Sequence, residues 1–154
     1  KEESHLSWLS FCIMMKKYNF YKQKYSYDCG IACIAMILKY YNISFDYGKL
    51  ITTEEIDRQK GCTLLQMSRI LRKFNIDASG YHFESEEYES LIQVTPFIAN
   101  IKVGYNIFHY IVVFECGKRN LIIGDPSSTH LTIQDSDMFC KLSTGALLII
   151  NSKN

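Results

Sequence analysis

The stretch Gln23 to Cys33 reads Gln-Lys-Tyr-Ser-Tyr-Asp-Cys-Gly-Ile-Ala-Cys, and it opens a strongly apolar segment of helical length containing Ile31, Ala32, Ile34, Ala35, Ile37 and Leu38. A helix of that character has to be covered by the rest of the chain, so the fold is organised around it. Asp28 stands where an N-cap belongs, and its carboxylate is expected to accept from the free amides of the first turn. Cys29 then falls at the positive end of the helix dipole, where thiolate is favoured and a backbone N–H can face a developing oxyanion. Gln23, six residues earlier across a polar and aromatic turn, is placed to fold its side-chain amide back as a second oxyanion donor. A helical cysteine is equally often a buried, inert thiol, and Gln23 equally a loop residue. This stretch alone does not decide between the two.

The chain has 154 residues, 47% of them apolar, enough for one domain that buries about 70% of its unfolded surface. Seventeen Lys and Arg against sixteen Asp and Glu leave a net charge of +1, which offers neither a nucleic-acid footprint nor a polybasic membrane patch. The longest apolar runs, 107–114 and 146–150, are strand-length and far short of the roughly 20 residues of a membrane span. Six cysteines, at 12, 29, 33, 62, 116 and 140, are irregularly spaced and read as reduced thiols. Cys29 and Cys33 share a helical face, but no Cys-x-x-Cys or His pair supplies further ligands, so no metal or other cofactor is called for.

Residues 1–14 contain Leu6, Trp8, Leu9, Phe11 and Ile13 and precede Met14-Met15-Lys-Lys-Tyr-Asn-Phe. They are read as an N-terminal extension or cloning remnant, with the domain proper at 15–154. They lack the small-residue cleavage site of a secretory signal. Asn42 marks the stop of the first helix, and a short second helix is expected over 44–50 with Phe45 and Leu50 inward. Thr63-Leu-Leu-Gln66 is a capping box opening a third helix with Leu64, Met67, Ile70, Leu71 and Phe74 at helical spacing. From Asn75 the pattern turns to strands, expected at 76–83, 95–103, 107–116, 120–124, 131–133 and 145–151. Small helices are expected at 84–93 and 134–139, the latter with Asp135 and Asp137 in its first turn. Helices first and sheet second make an α+β pattern.

A cysteine nucleophile needs a base, and the candidates are His5, His82, His109 and His130. His109, inside Asn-Ile-Phe-His-Tyr-Ile-Val-Val-Phe, is best placed, because a strand can aim its ring while one nitrogen stays available to an orienting group. Histidine on an apolar strand is also commonly just a core residue. His82 in Gly-Tyr-His-Phe makes a similar claim, and His130 in Ser-Ser-Thr-His reads as surface. Asp125, in Ile-Ile-Gly-Asp-Pro, ends the strand expected to pair with that of His109 across the turn at 117–120. There its carboxylate would hold the tautomer and favour the imidazolium; read alone, Asp-Pro is only a turn.

Gln23, then Asp28-Cys29-Gly30 with Ala32-Cys33, then Gly61-Cys-Thr-Leu-Leu, then His109-Tyr-Ile-Val-Val, then Gly124-Asp125-Pro126 resembles the cysteine peptidase domain of bacterial double-glycine leader peptidases. That module stands at the amino end of peptidase-containing ABC transporters that mature and export bacteriocins and related peptides. The resemblance covers nearly the whole chain from about residue 15. It implies a papain-like fold, a helical half bearing the nucleophile packed on an antiparallel sheet. It also implies Cys29 as nucleophile, His109 as base and later acid, Asp125 as orienter and Gln23 as oxyanion donor. The implied substrate is a precursor peptide with an amphipathic leader, cleaved after Gly-Gly or Gly-Ala. Of the aromatics near both halves, Tyr25, Tyr27, Tyr105, Phe108 and Tyr110, some are expected to roof a narrow site. The implied partners are the membrane and ATPase domains of a transporter at the cytosolic face of the cell membrane. Because the chain ends at Asn154, it reads as an excised domain or a free-standing peptidase. A catalytically silent leader-binding module and a papain-like hydrolase of another amide are the alternatives.

Overall fold

The computed structural model describes residues 17–53 and 56–153; the segment 1–14 and His5 lie outside them. Helix α1 spans Cys29–Tyr40, and Gly30 to Leu38 are all buried. Its end is the one the sequence indicates: Asn42 takes φ 57°, Ile43 N–H donates to Leu38 O at 2.9 Å and Asn42 N–H to Lys39 O at 3.0 Å. Those are the paired closing bonds of a Schellman motif, with asparagine tolerating the left-handed position. Helix α2 is Tyr47–Ile51, shorter and later than the expected 44–50 because Asp46, not Ser44, caps it by accepting from Lys49 N–H. Helix α3 is Leu64–Arg72, and the reciprocal Thr63–Gln66 capping box forms.

The second half is a six-stranded, wholly antiparallel sheet: β1 Ile76–His82, β2 Phe97–Gly104, β3 Ile107–Cys116, β4 Asn120–Gly124, β5 Thr132–Asp135 and β6 Ser143–Lys153, in the order β1-β6-β2-β3-β4-β5. A 3-10 helix at Ser85–Gln93 leads into β2. Helix α4, Ser136–Leu142, starts later than the expected 134–139. Gln134 and Asp135 pair in β5, and Asp135 caps the helix from outside by accepting from Asp137 and Met138 N–H.

Both faces of the sheet are covered, which explains the unbroken apolar run in β3. Val112 and Phe114 face a core built with Ile31, Ile34 and Ile37 of α1 and Met67 and Leu71 of α3. Ile111 and Val113 face a second core with Tyr88, Leu91 and Phe139. Alternate residues of one strand therefore serve two cores, and period-2 polarity disappears. Helix α1 lies on β3, bringing its N-terminus to the end of the sheet where the β2–β3 hairpin projects.

Candidate active site

Cys29 is the first residue of α1, half-buried, and followed by a glycine whose position explains the motif. A Cβ on Gly30 would stand 2.5 Å from Cys62 Sγ and 3.0 Å from Met67 Sδ, so only glycine lets the helix start press against the entry to α3. Asp28, fully buried, holds the N-cap position but does not cap with its carboxylate. At φ −103°, ψ 18° its backbone lies outside the extended region from which a side chain reaches the first-turn amides. The carboxylate instead turns back, accepting from Lys24 N–H at 2.9 Å, Tyr25 N–H at 2.8 Å and the Tyr47 hydroxyl at 3.0 Å. Burial and then the charge of Asp28 hold that phenol in its protonated, donating form. Asp28 thus fixes the 23–28 loop and leaves the first-turn amides to other partners.

His109 and Asp125 meet because β3 and β4 are antiparallel neighbours with Val112 opposite Gly124. His109 Nε2 lies 2.6 Å from Asp125 Oδ1, and Cys29 is near enough to act, with Asp125, on the charge of the same ring. The His109 side chain is 11% exposed. Burial opposes its charge, but the hydrogen bonds and charges of Asp125 and Cys29 outweigh burial and push it up to about 9. Asp125 also accepts from Ser127 N–H at 2.9 Å and Ser127 Oγ at 2.7 Å. Burial would raise its carboxyl, but these bonds and His109 hold it below its ordinary value. His82 is exposed beside Glu84, 3.0 Å away, and His130 is exposed beside Thr129; neither is brought to Cys29. Cys33 is fully buried in the core, where burial pushes its thiol up.

Gln23 is tied to the Asp125 turn through its backbone, its N–H donating to Pro126 O at 2.9 Å. One N–H of its side chain goes to Tyr25 O at 2.8 Å. The second is uncommitted, and Oε1 is buried without a hydrogen-bond partner among the described residues. Cys29 opens onto a cleft of about 730 Å³ between two walls. One wall is Tyr27 with the tight turn ending in Gly61-Cys62, where Gly61 takes φ +77° and a Cβ would meet Tyr27 O at 3.1 Å. The other is Asn100, Ile107, Phe108, Tyr110 and Thr144. Of the expected aromatic roof, Tyr27, Phe108 and Tyr110 line the cleft. Tyr25 instead stacks on Tyr27 from outside, and Tyr105 at the hairpin tip is 88% exposed.

Reading the sequence missed Ser127 and Tyr47, which hold Asp125 and Asp28. Ser127 had a usable signal, since a hydroxyl two residues after an aspartate commonly closes an Asx-type turn. Tyr47 had none, being 19 residues from its partner. Among the described residues no group of three or more His, Cys, Asp or Glu is gathered as for a metal ion, and no helix is long and apolar enough to cross a membrane.

The profile of the peptidase C39 family matches residues 17–154. The SPbeta prophage-derived sublancin-168-processing and transport ATP-binding protein SunT of Bacillus subtilis is 31% identical over 141 residues, covering 90% of this chain and 20% of the relative. The lactococcin-G-processing and transport ATP-binding protein LagD of Lactococcus lactis is 30% identical over 126 residues, covering 82% and 18%. The chain thus spans about a fifth of the length of these relatives. Among solved structures, the peptidase domain of Streptococcus ComA superposes with a TM-score of 0.77 at 25% identity, covering 86% of this chain and 97% of that one. A double glycine motif protease from an AMS/PCAT transporter, in complex with its leader peptide, gives 0.74 at 23% identity, covering 86% and 90%.

Proposed function

The chain belongs to the peptidase C39 family, and on that premise we propose that it is the leader-removing endopeptidase of a peptide export system. The observation that carries this is the set gathered at the start of α1: Cys29 beside His109, acting on its charge, and His109 bonded through Nε2 to Asp125 at 2.6 Å. Cys29 Sγ attacks the carbonyl carbon before the cleaved bond, and the proton it gives up resides on His109. The oxyanion is faced by the Cys29 backbone amide and the uncommitted N–H of Gln23. His109 passes its proton to the departing amine as the C–N bond breaks and the thioester remains. A water molecule, deprotonated by His109, then attacks the thioester and frees the leader. Asp125, held by Ser127, keeps the ring oriented and stabilises its charge throughout.

The substrate is a precursor peptide cut after Gly-Gly or Gly-Ala, because Tyr27, Phe108 and Tyr110 crowd the cleft at Cys29 and a side chain larger than methyl beside the cleaved bond meets a ring. A groove of about 270 Å³ is lined by Ile101, Ile111, Ile123 and Ile133 together with Asp125, Thr132 and Gln134; it receives part of an amphipathic leader, with the exposed Ile133 as its apolar contact. The membrane and ATPase domains of a transporter are the partners, at the cytosolic face of the membrane, in keeping with the relatives of which this chain matches a fifth.

The test is incubation with a precursor carrying a Gly-Gly junction and product identification by mass. The wild-type chain is expected to cut after the second glycine, Cys29→Ala to lose cleavage with its fold intact, and Cys33→Ala to keep it. Turnover by Cys29→Ala, or a folded but dead Cys33→Ala, would overturn the assignment of the nucleophile. A precursor that binds without being cut would make the domain a leader-binding module.

A further inference from the structure

Opposite Cys29 the cleft wall sets Asn100 and Thr144 among Ile107, Phe108 and Tyr110. Along one face of the β2–β3 ladder the cross-strand pairs are Ile98 with Val112, Asn100 with Tyr110, and Lys102 with Phe108. The first pair is buried in the α1 core and the last includes the exposed rim residue Phe108. Asn100 and Tyr110 lie between them, where core gives way to cleft, and an amide there needs a reason.

The third strand supplies one. Ala99 pairs with Leu147 of β6, but Ile101 pairs with Ser143, so β6 carries two more residues than β2 across the same interval. The surplus is a bulge at Thr144-Gly145-Ala146. Gly145 takes φ +89°, and a Cβ on it would meet His82 Cε1 at 2.4 Å and Phe83 O at 2.8 Å, so glycine alone fits. The bulge satisfies its own amides: Gly145 N–H donates to Ser143 Oγ at 3.0 Å, and Ala146 N–H to Thr144 Oγ1 at 3.3 Å. The Thr144 hydroxyl, while accepting from Ala146, gives its own proton to Asn100, reaching Oδ1 at 3.0 Å and the backbone O at 3.3 Å. The side-chain oxygen of Asn100 is thereby the accepting end, and Nδ2 is turned the other way. Its nearest acceptor is His109 O at 3.5 Å, the outer limit of a hydrogen bond, which leaves the amide with unspent donor capacity at the cleft wall.

An extended peptide lying in this cleft brings main-chain carbonyls that lose water and need donors. We propose that Asn100, oriented by Thr144 on the β6 bulge, donates from Nδ2 to a main-chain carbonyl of the peptide substrate next to the cleaved bond. The inference rests on the peptidase reading above. It assigns to the bulge the task of aiming one amide, and it gives a main-chain contact to a substrate whose glycines offer no side chains to hold.

Steady-state cleavage of a Gly-Gly precursor is measured alongside the rate at which iodoacetamide alkylates Cys29, a reaction that uses the nucleophile without needing Asn100. Asn100→Ala is expected to lower kcat/KM about 10- to 100-fold, chiefly through KM, with the alkylation rate unchanged. Thr144→Val should give a smaller loss of the same kind, and Thr144→Ser should restore it. Unchanged kcat/KM in Asn100→Ala would overturn the proposal. So would a parallel fall in alkylation, because Asn100 would then act through the Cys29–His109 pair rather than on the substrate. If the wild-type chain alkylates but cuts no precursor, it is the peptidase reading that fails.

Discussion

His109 and Asp125 approach one another because their strands are ladder neighbours, and each strand is held by backbone hydrogen bonds along its length. The Gln23 to Asp28 loop across the site has no ladder. It is held by one buried carboxylate that gathers two backbone amides and a phenol, and by a single backbone bond from Gln23 to Pro126. His109 is therefore positioned by many weak, redundant bonds, and the Gln23 loop by a few, most of them charge-assisted. Side-chain substitutions should leave the first geometry standing and alter only its electrostatics, whereas on the second they should alter what the site can hold.

The largest expected effect lies on the loop. Gln23→Ala should lower kcat roughly 10²- to 10³-fold with KM little changed, because a donor aimed at the oxyanion acts mainly in the transition state. An unchanged kcat would remove Gln23 from the chemistry and dissolve the contrast between the two sides.

Asp125→Asn probes the sheet side and should show itself in the pH profile. With Asp125 present the ring is pushed up to about 9, so the imidazolium persists through neutral pH and activity declines as pH rises through that value. Without the carboxylate charge the His109 pKa falls, and the alkaline limb of kcat/KM moves to lower pH by the same amount. The loss should be slight below about pH 6 and about tenfold at pH 8, with the sheet undisturbed by circular dichroism. A limb that stays in place would mean that Asp125 does not tune the ring.

Tyr47→Phe is the smallest perturbation and sharpens the comparison. It removes one of the three donors to Asp28 and leaves both backbone amides in place. Thermal or denaturant unfolding should register a loss of about 1 kcal/mol, with kcat/KM within about threefold of wild type. A larger kinetic loss without destabilisation would show that the phenol, and not the loop backbone, sets the position of Gln23.

Local sequence determined the elements whose signals are complete within a few residues. The apolar run after Asp28-Cys29-Gly30, the Thr63–Gln66 capping box and the left-handed Asn42 each became the expected helix start or stop, because caps and turns are decided by groups three to five residues apart. The pairing of His109 with Asp125 was legible for a related reason: a short turn joins their strands, and an antiparallel hairpin fixes register from the turn outward. Tertiary structure decided what depends on distant partners. Asp28 looked like an N-cap and became the anchor of the preceding loop, because its backbone conformation and Tyr47, 19 residues on, turned the carboxylate the other way. Gln134 and Asp135 read as helix and were taken into β5 by pairing with β4. The bulge that sets Thr144 against Asn100, 44 residues away, has only a glycine to announce it, since its register comes from β1 on one side and β2 on the other. Hydrogen bonds between remote strands form only when the whole sheet assembles, and no short window of sequence contains both of their ends.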